Sequence, residues 1–232
     1  MAVQLKFLRN VPLFSHLNFK QLRRIAQLLH YRKYLKKQTI FSEKDYGDAF
    51  YIILSGIVKI FKLAPDGRKK TLAILKENDF FGEMAELDKA ERSANAQAFT
   101  DAEVFKIKRH DFESFLKINP RIAIQMLQTL SARLRRADEQ IKNLVFQTVS
   151  GRVAYTLLDL AEKYGKKIRQ GIKIALYLTH KEIAELVGNP REVVSKTIGE
   201  LEKKDYITYL DKQVVITNKE ALKKIVQEGK KL

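Results

Sequence analysis

The chain has 232 residues, a net charge of +17 and a hydrophobic fraction of 45%, which suffices for one large or two smaller domains with a real core. It contains no cysteine, and this excludes disulfides, cysteine-ligated iron–sulfur clusters and thiol catalysis. The four histidines are scattered, and no apolar run approaches the roughly 18–20 residues that cross a bilayer, so we expect a soluble, cytoplasmic protein without a metal site.

The first 118 residues are predicted to form an antiparallel barrel with flanking helices. Residues 5–30 look mostly helical, because Leu22, Ile25 and Leu29 recur at helical spacing. From residue 31 to residue 108 the pattern changes to short aromatic and β-branched runs, which indicate strands. Turn signals such as Pro65-Asp66-Gly67 separate these runs and predict hairpins.

The motif with the clearest chemistry lies within this barrel, at residues 81–85 and 91–94. Gly82 lets the backbone approach a ligand closely, and the Glu83 carboxylate can accept a proton from a ribose hydroxyl. Arg92 and Ser93 offer donors that suit a phosphate. This combination predicts a pocket for a small cyclic phosphodiester fused to a sugar. A simple turn beside a surface Arg-Ser pair is the alternative.

A long helix is predicted over residues 119–147, beginning at Pro120 with Asn119 as its cap. Its apolar residues follow steps of three and four, the pattern of a coiled-coil seam, at Leu127, Leu130, Leu134, Ala137, Ile141 and Leu144. We therefore predict a dimerisation helix. A helix lying on the barrel is the alternative, but Arg133, Arg135 and Arg136 make the opposite face unsuited to burial.

Residues 148–232 are predicted to form a DNA-binding domain after a hinge at residues 148–151. Thr179 caps a short helix, Gly188-Asn189 makes a turn, and Pro190 begins a second helix with Asn189 as its cap. The first turns of such a helix reach base edges in the major groove. A two-stranded wing follows at residues 206–216. The predicted DNA-contacting residues are Thr179, Lys181, Arg191, Glu192, Ser195, Lys196 and, on the wing, Lys212. A solvated helix face is the alternative.

Residues 81–94, 143–146 and 191–196 together resemble the CRP/FNR family of bacterial transcription regulators, over nearly the full length of the chain. The resemblance implies an α+β fold, in which a jelly-roll-like β-barrel that binds a cyclic nucleotide precedes a dimerisation helix and a winged helix-turn-helix. It also implies a homodimer on a palindromic operator in double-stranded DNA. RNA polymerase is the further implied partner, contacted through a basic loop at residues 163–171.

The family's pocket carries over residue by residue. Gly82 and Glu83 would bind the ribose, and Arg92 and Ser93 the cyclic phosphate. Three small or flexible residues would shape the pocket, namely Met84, Ala85 and Ala94. No Ser/His/Asp arrangement, Walker-type glycine loop or metal cluster is visible in the sequence, so we expect no enzymatic activity.

The sequence departs from the family's pattern in three places, which involve four residues. Ala137 and Asp138 stand where cAMP-responsive members offer hydroxyl residues to the purine, and Asp138 could accept from either adenine or guanine. Because Ser93 replaces the threonine of many cGMP-selective domains, cAMP is favoured over cGMP, with another effector or constitutive action as the alternative. Lys196 stands where arginine is usual. Lys44 replaces a glycine and is expected to alter only a surface turn.

Overall fold

The structure is a computed structural model that describes residues 2–228. The chain divides into two compact units. The first contains residues 2–63 and 71–134, and the second contains residues 64–70 and 135–228.

The first unit is built from two four-stranded antiparallel sheets with helices around them, as the sequence predicts. The sheets have the strand orders β1-β8-β3-β6 and β2-β7-β4-β5. The strands are β1 (His30–Tyr34), β2 (Thr39–Phe41), β3 (Ala49–Ser55), β4 (Val58–Leu63), β5 (Lys69–Leu75), β6 (Phe80–Phe81), β7 (Asn95–Ala98) and β8 (Ala102–Lys108). The helices are α1 (Ala2–Asn10), a 3₁₀ helix (Pro12–Phe14), α2 (Phe19–Gln27), α3 (Glu83–Asp88), α4 (Arg109–Ile118) and the first half of α5 (Pro120–Phe146).

The central strand β3 shows why this sequence forms a barrel covered by helices. Its side chains alternate between two buried clusters, because successive residues of a strand point to opposite faces. Tyr51 and Ile53 face the interior between the two sheets. Phe50 and Ile52 face a second core made with the helices, where the Phe50 ring stacks on Phe112 with centroids 4.4 Å apart.

The second unit is a winged helix-turn-helix with more regular structure than the sequence indicates. Its further helices are α6 (Val149–Tyr164), α7 (His180–Val187), α8 (Arg191–Lys203) and α9 (Lys219–Glu228). Its strands are β9 (Gly165–Ile168), β10 (Gly171–Ile174), β11 (Ile207–Leu210) and β12 (Gln213–Ile216), in the order β11-β12-β10-β9. The predicted two-stranded wing is therefore half of a four-stranded sheet.

The prediction of a basic loop at residues 163–171 is wrong, because most of these residues lie in regular secondary structure. Helix α6 runs to Tyr164, and β9 and β10 form a hairpin around Arg169 and Gln170. The alternation of isoleucines with lysines in β10 (Gly171–Ile174) is a strand pattern, and Ile174 is fully buried.

The caps of two helices differ from their predictions, although α5 begins at Pro120 as predicted. Pro190 occupies the cap position of α8 and Arg191 is the first helical residue, so the predicted start lies one residue too early. Asn119 does not use its side chain on α5. That amide accepts from Gln21 Nε2 at 2.7 Å and donates to the Phe115 carbonyl at 2.9 Å, which ties the end of α4 to α2.

The predicted hinge at residues 148–151 is mostly helix. The Thr148 hydroxyl accepts from the Gly151 backbone N–H at 3.2 Å, and this bond caps α6. Residues 149–151 therefore form the first turn of α6. The break between α5 and α6 is confined to Gln147 and Thr148.

The predicted seam of α5 is largely exposed. The exposed fractions are 65% for Leu127, 64% for Leu134 and 60% for Ile141. Within the first unit, α5 instead buries Ile122 and Met126 in the core with the other helices. A second row of apolar side chains is thus left on the surface of this helix.

Lys44 has a backbone conformation that glycine favours. Its φ is +69°, and its N–H donates to the carbonyl of Arg92 at 3.0 Å. The exposed turn that contains Lys44 is therefore bonded to the backbone of the candidate phosphate-binding residue, Arg92. A lysine in the left-handed region costs about 1–2 kcal/mol.

We expect Lys44→Gly to raise the free energy of unfolding by about 0.5–1 kcal/mol, because relief of this strain outweighs the greater entropy of glycine in the unfolded chain. Urea unfolding measures the change. The matched control is Lys36→Gly, since Lys36 lies in another exposed turn without a positive φ and should lose stability. A loss in Lys44→Gly equal to that of the control would contradict this account.

Candidate functional sites

The turn from β6 into α3 forms the floor of the candidate pocket. Gly82 precedes α3 with φ +80°, in the left-handed region that side chains disfavour. A Cβ on Gly82 would lie 2.8 Å from Nη1 of Arg92. The backbone conformation favours glycine here, and the absence of a Cβ leaves room for the arginine that packs against it.

Arg92 is the central cation of this pocket. Its side chain is buried, and its guanidinium donates to the carbonyls of Gly82 at 2.6 Å and Ala49 at 2.7 Å. The guanidinium carbon lies 4.4 Å from the centroid of the Phe41 ring. Among the described residues its Nε has no hydrogen-bond partner. The nearest carboxylates, of Glu86 and Asp48, are 3.8 and 3.9 Å away.

This geometry favours an anion beside Arg92. A buried cation is stabilised by a paired negative charge, and neither nearby carboxylate is within hydrogen-bonding distance. Carbonyl oxygens and an aromatic face hold the guanidinium in place without cancelling its charge. The buried guanidinium thus has two carboxylates at ion-pair distance but no carboxylate hydrogen-bonded to it.

Glu86 and Arg109 support the same turn, and sequence reasoning missed both. The Glu86 carboxylate is buried and accepts from Arg109 Nε at 3.1 Å. Burial raises the pKa of this carboxyl above its ordinary value, although the bond from Arg109 acts the other way. Arg109 also donates to the carbonyl of Gly47 at 2.6 Å, which fixes the loop before β3 to α3.

Glu83 is joined to the long helix α5. Its buried carboxylate accepts from Arg133 Nη1 at 2.7 Å. Arg133 also donates to the Phe80 carbonyl, and its guanidinium carbon lies 4.7 Å from the Phe80 ring centroid. The expectation that Arg133 belongs to a face unsuited to burial is therefore wrong. A carboxylate has two acceptor oxygens, so Glu83 can accept a hydrogen bond from a ribose hydroxyl while it also accepts one from Arg133.

The structure brings most of the predicted pocket residues together. Ser93 is exposed and its Oγ lies 3.5 Å from Sδ of Met84, which is itself 49% exposed. Ala85 and Ala94 are buried behind them. Asp138 lies on the same helix as Arg133, is exposed, and belongs to the second unit.

The second candidate site is the helix-turn-helix of the second unit. Thr179 caps α7 in a reciprocal arrangement: its Oγ1 accepts from the Glu182 N–H at 3.2 Å, and its own N–H donates to the Glu182 carboxylate at 2.7 Å. Gly188 ends α7 with φ +80°. The Asn189 side chain accepts from Arg152 Nη2 at 2.6 Å, so this asparagine holds the turn.

Most of the predicted DNA-contacting residues are exposed to solvent, and several of them lie at the start of α8. Arg191, Glu192 and Lys196 are exposed, as is Lys181 on α7. Ser195 is half-buried and its Oγ lies 3.0 Å from His180 Nδ1. The apolar side of the two helices is buried, at Ile183, Ala184, Val187, Val194, Ile198 and Leu201.

The wing ends in a strained two-residue turn. Asp211 and Lys212 both have positive φ, +51° and +61°, between the paired residues Leu210 and Gln213. Asp211 is held by Lys173 Nζ at 2.9 Å. Lys212 is exposed at the tip, where a charge can reach a DNA phosphate. Positive φ at both central residues is the usual geometry of a two-residue hairpin turn, and glycine would adopt it more readily than lysine.

Other classes of site find no support in the part of the chain that the structure describes. Residues 2–228 hold no group of three or more histidine and carboxylate side chains that could bind a metal ion. None of their helices has the length and apolarity needed to cross a membrane.

Both units match known protein families. Residues 31–119 match the model of the cyclic nucleotide-binding domain, and residues 151–225 match that of the Crp-like helix-turn-helix domain. The CRP-like cAMP-activated global transcriptional regulator of Mycobacterium tuberculosis is 38% identical over 184 residues, which cover 79% of this chain and 82% of that protein. The cyclic AMP receptor protein of Thermus thermophilus is 34% identical over 194 residues, covering 84% and 87%.

A solved structure has the same architecture. The c-di-GMP-responsive global regulator CLP of Xanthomonas campestris superposes with a TM-score of 0.76 at 25% sequence identity. The match covers 86% of this chain and 99% of that one.

We expect Lys212→Gly to stabilise the protein and weaken DNA binding together. Removing the left-handed lysine should raise the free energy of unfolding by about 0.5–1 kcal/mol. Losing one phosphate contact should lower the slope of log Kd against log salt by about one. Urea unfolding and DNA titrations at several salt concentrations measure both quantities.

Lys212→Arg is the control for this prediction, because it keeps the charge and the strained backbone. Both quantities should stay near those of the parent protein. An unchanged salt slope in Lys212→Gly would show that the wing tip does not contact phosphate.

Proposed function

The chain belongs to the CRP/FNR family of transcription regulators, and we propose that it acts as a homodimer whose sequence-specific DNA binding is gated by a cyclic nucleotide. The observation that carries the proposal is the buried Arg92 guanidinium, whose Nε has no partner among the described residues and whose neighbouring carboxylates stay beyond hydrogen-bonding distance. A cyclic phosphate would supply the hydrogen-bonded negative charge that neither carboxylate provides, with Ser93 as a further donor. On this proposal the protein is a regulator and not an enzyme.

cAMP is the effector we favour over cGMP. Two relatives are named for cAMP, one as activated by it and one as its receptor. Ser93 stands where cGMP-selective domains often have threonine, and Asp138 is exposed on α5, where it could accept from a purine. Response to another effector is the second candidate, because the structurally similar CLP is named as c-di-GMP-responsive. Constitutive action is the remaining alternative.

The proposed signal passes through the Glu83–Arg133 ion pair. A ribose hydroxyl that donates to Glu83 must share that carboxylate with Arg133, whose side chain belongs to α5. Nucleotide binding would therefore change the contacts of α5 directly. The nucleotide can shift the protein toward the DNA-binding state only by preferring that state.

Dimerisation is proposed through the exposed seam of α5. Leu127, Leu134 and Ile141 lie in steps of seven, and Leu144 continues the row while remaining 42% exposed. An apolar row of this length is stabilised when a second helix covers it. Two helices α8 of a dimer would then read half-sites about 34 Å apart on a palindromic operator.

RNA polymerase is proposed as a partner of the β9 hairpin. Lys166 and Lys167 are exposed on β9, which lies at the edge of its sheet.

We expect Lys166→Glu with Lys167→Glu to reduce transcription from a responsive promoter while DNA affinity is retained. Unchanged transcription would count against this contact.

Calorimetric titration of the protein with cAMP, cGMP and c-di-GMP tests the effector. We expect cAMP to bind with the highest affinity and to strengthen binding to a duplex that the protein itself selects from a random-sequence pool. Absence of heat with all three nucleotides, together with unchanged DNA binding, would reject the gating proposal and leave a different effector or constitutive action.

The same titrations on Arg133→Gln test the signal path. We expect this variant to bind cAMP within about tenfold of the parent but to lose most of the effect of cAMP on DNA affinity, because the helix no longer shares the carboxylate of Glu83. Arg136→Gln, an exposed arginine on the same helix, is the matched control. A full DNA response in Arg133→Gln would contradict this path.

A further inference from the structure

His180 connects three elements of the DNA-binding unit. It is the first residue of α7, and its Nδ1 lies 3.0 Å from the Ser195 hydroxyl on α8. Its Nε2 lies 3.2 Å from the Tyr209 hydroxyl on β11. The imidazole and phenol rings also contact each other, with centroids 6.3 Å apart. All three side chains are half-buried, so the arrangement is held by packing as well as by hydrogen bonds.

The protons available at this contact restrict how it can be made. A neutral imidazole carries one N–H and one bare nitrogen, so one hydroxyl must accept from the ring while the other donates to it. A phenol is the more acidic hydroxyl and hence the better donor. Tyr209 therefore donates to Nε2, and the N–H of His180 lies on Nδ1 and donates to Ser195.

This arrangement leaves the proton of Ser195 unused by His180. Because its oxygen already accepts from Nδ1–H, the Ser195 hydroxyl can donate only in another direction. Ser195 lies four residues after the exposed Arg191, so the two side chains share one face of α8. That face is the one that the first turns of a reading helix present to the major groove.

We propose that His180 is a positioning residue for DNA recognition, which clamps Tyr209 of the wing and makes the Ser195 hydroxyl a donor to an acceptor atom on the DNA. The inference rests on the DNA-binding part of the proposed function and is independent of nucleotide gating. Guanine N7 and O6 are acceptors of this kind in the major groove. One side chain, His180, thereby fixes the position of the wing relative to α8.

Tyr209 is suited to the donor role over the whole physiological range. Burial, together with the negative charge of Glu202, raises the pKa of the Tyr209 hydroxyl to about 12. The phenol therefore keeps its proton at neutral pH. The bond to Nε2 does not depend on ionisation of the tyrosine.

The tautomer of His180 is the first test, and it requires no DNA. Nitrogen NMR of the full-length protein labelled at histidine should show a protonated Nδ1 and a bare Nε2. A merely structural contact would tolerate either tautomer. Finding the proton on Nε2 would overturn the proposal, because Ser195 would then have to donate to His180.

The second test measures discrimination between a duplex that the parent protein selects from a random-sequence pool and a scrambled duplex of equal length. We expect Ser195→Ala to reduce the ratio of the two affinities by about fivefold, the scale of one lost hydrogen bond. Tyr209→Phe should give a similar loss, because the ring of His180 is then no longer fixed. In a double variant with Ser195→Ala, Tyr209→Phe should cause little further loss of discrimination.

Matched variants separate this role from general damage. Ser195→Thr keeps the hydroxyl and should retain most of the discrimination. Tyr206→Phe removes a phenol hydroxyl just before β11 and should leave the discrimination between the two duplexes unchanged. Fully additive losses in the double variant, or an unchanged ratio in Ser195→Ala, would overturn the proposal. If cAMP changes neither affinity, the gating proposal fails while this comparison still decides the role of His180.

Discussion

A buried arginine without a bonded carboxylate is the constraint on which the first unit depends. Arg92 lies within the barrel, and the backbone carbonyls of Gly82 and Ala49 hold its guanidinium. The left-handed glycine at position 82 and the turn at Lys44 both serve that placement, one by making room and the other by bonding to the backbone of Arg92. The carboxylates of Glu86 and Asp48 lie 3.8 and 3.9 Å from the guanidinium and partly offset its charge, but neither makes a hydrogen bond to it.

The long helix α5 contacts the candidate pocket and also exposes an apolar row. α5 supplies Arg133 to the carboxylate of Glu83, and its residues belong to both units of the chain. The same helix exposes an apolar row that suits a second copy. On the proposed function, ligand binding and dimerisation both involve this one helix.

The sequence predicts well those features that short segments encode. The strands of the barrel, the Thr179 cap, the Gly188 turn and the wing follow from alternation, capping and turn residues that act within a few positions. Arg133 and Arg109 could not be assigned in this way, because their partners lie 50 and 23 residues away and only the fold brings them together. The predicted hinge at residues 148–151 was wrong because the local signal is ambiguous. Small polar residues are typical both of a flexible linker and of the capped first turn of a helix, and Thr148 caps a helix.

The most direct test of this account is the affinity of Arg92→Gln for cAMP, measured by calorimetry beside Arg32→Gln, an exposed arginine on β1. The account predicts that Arg92→Gln loses about a hundredfold in affinity, the scale of a charge-assisted contact of about 3 kcal/mol, and no longer responds to cAMP in DNA binding. Arg32→Gln should behave as the parent protein. A folded Arg92→Gln variant that binds cAMP with parental affinity and retains the DNA response would contradict the central claim.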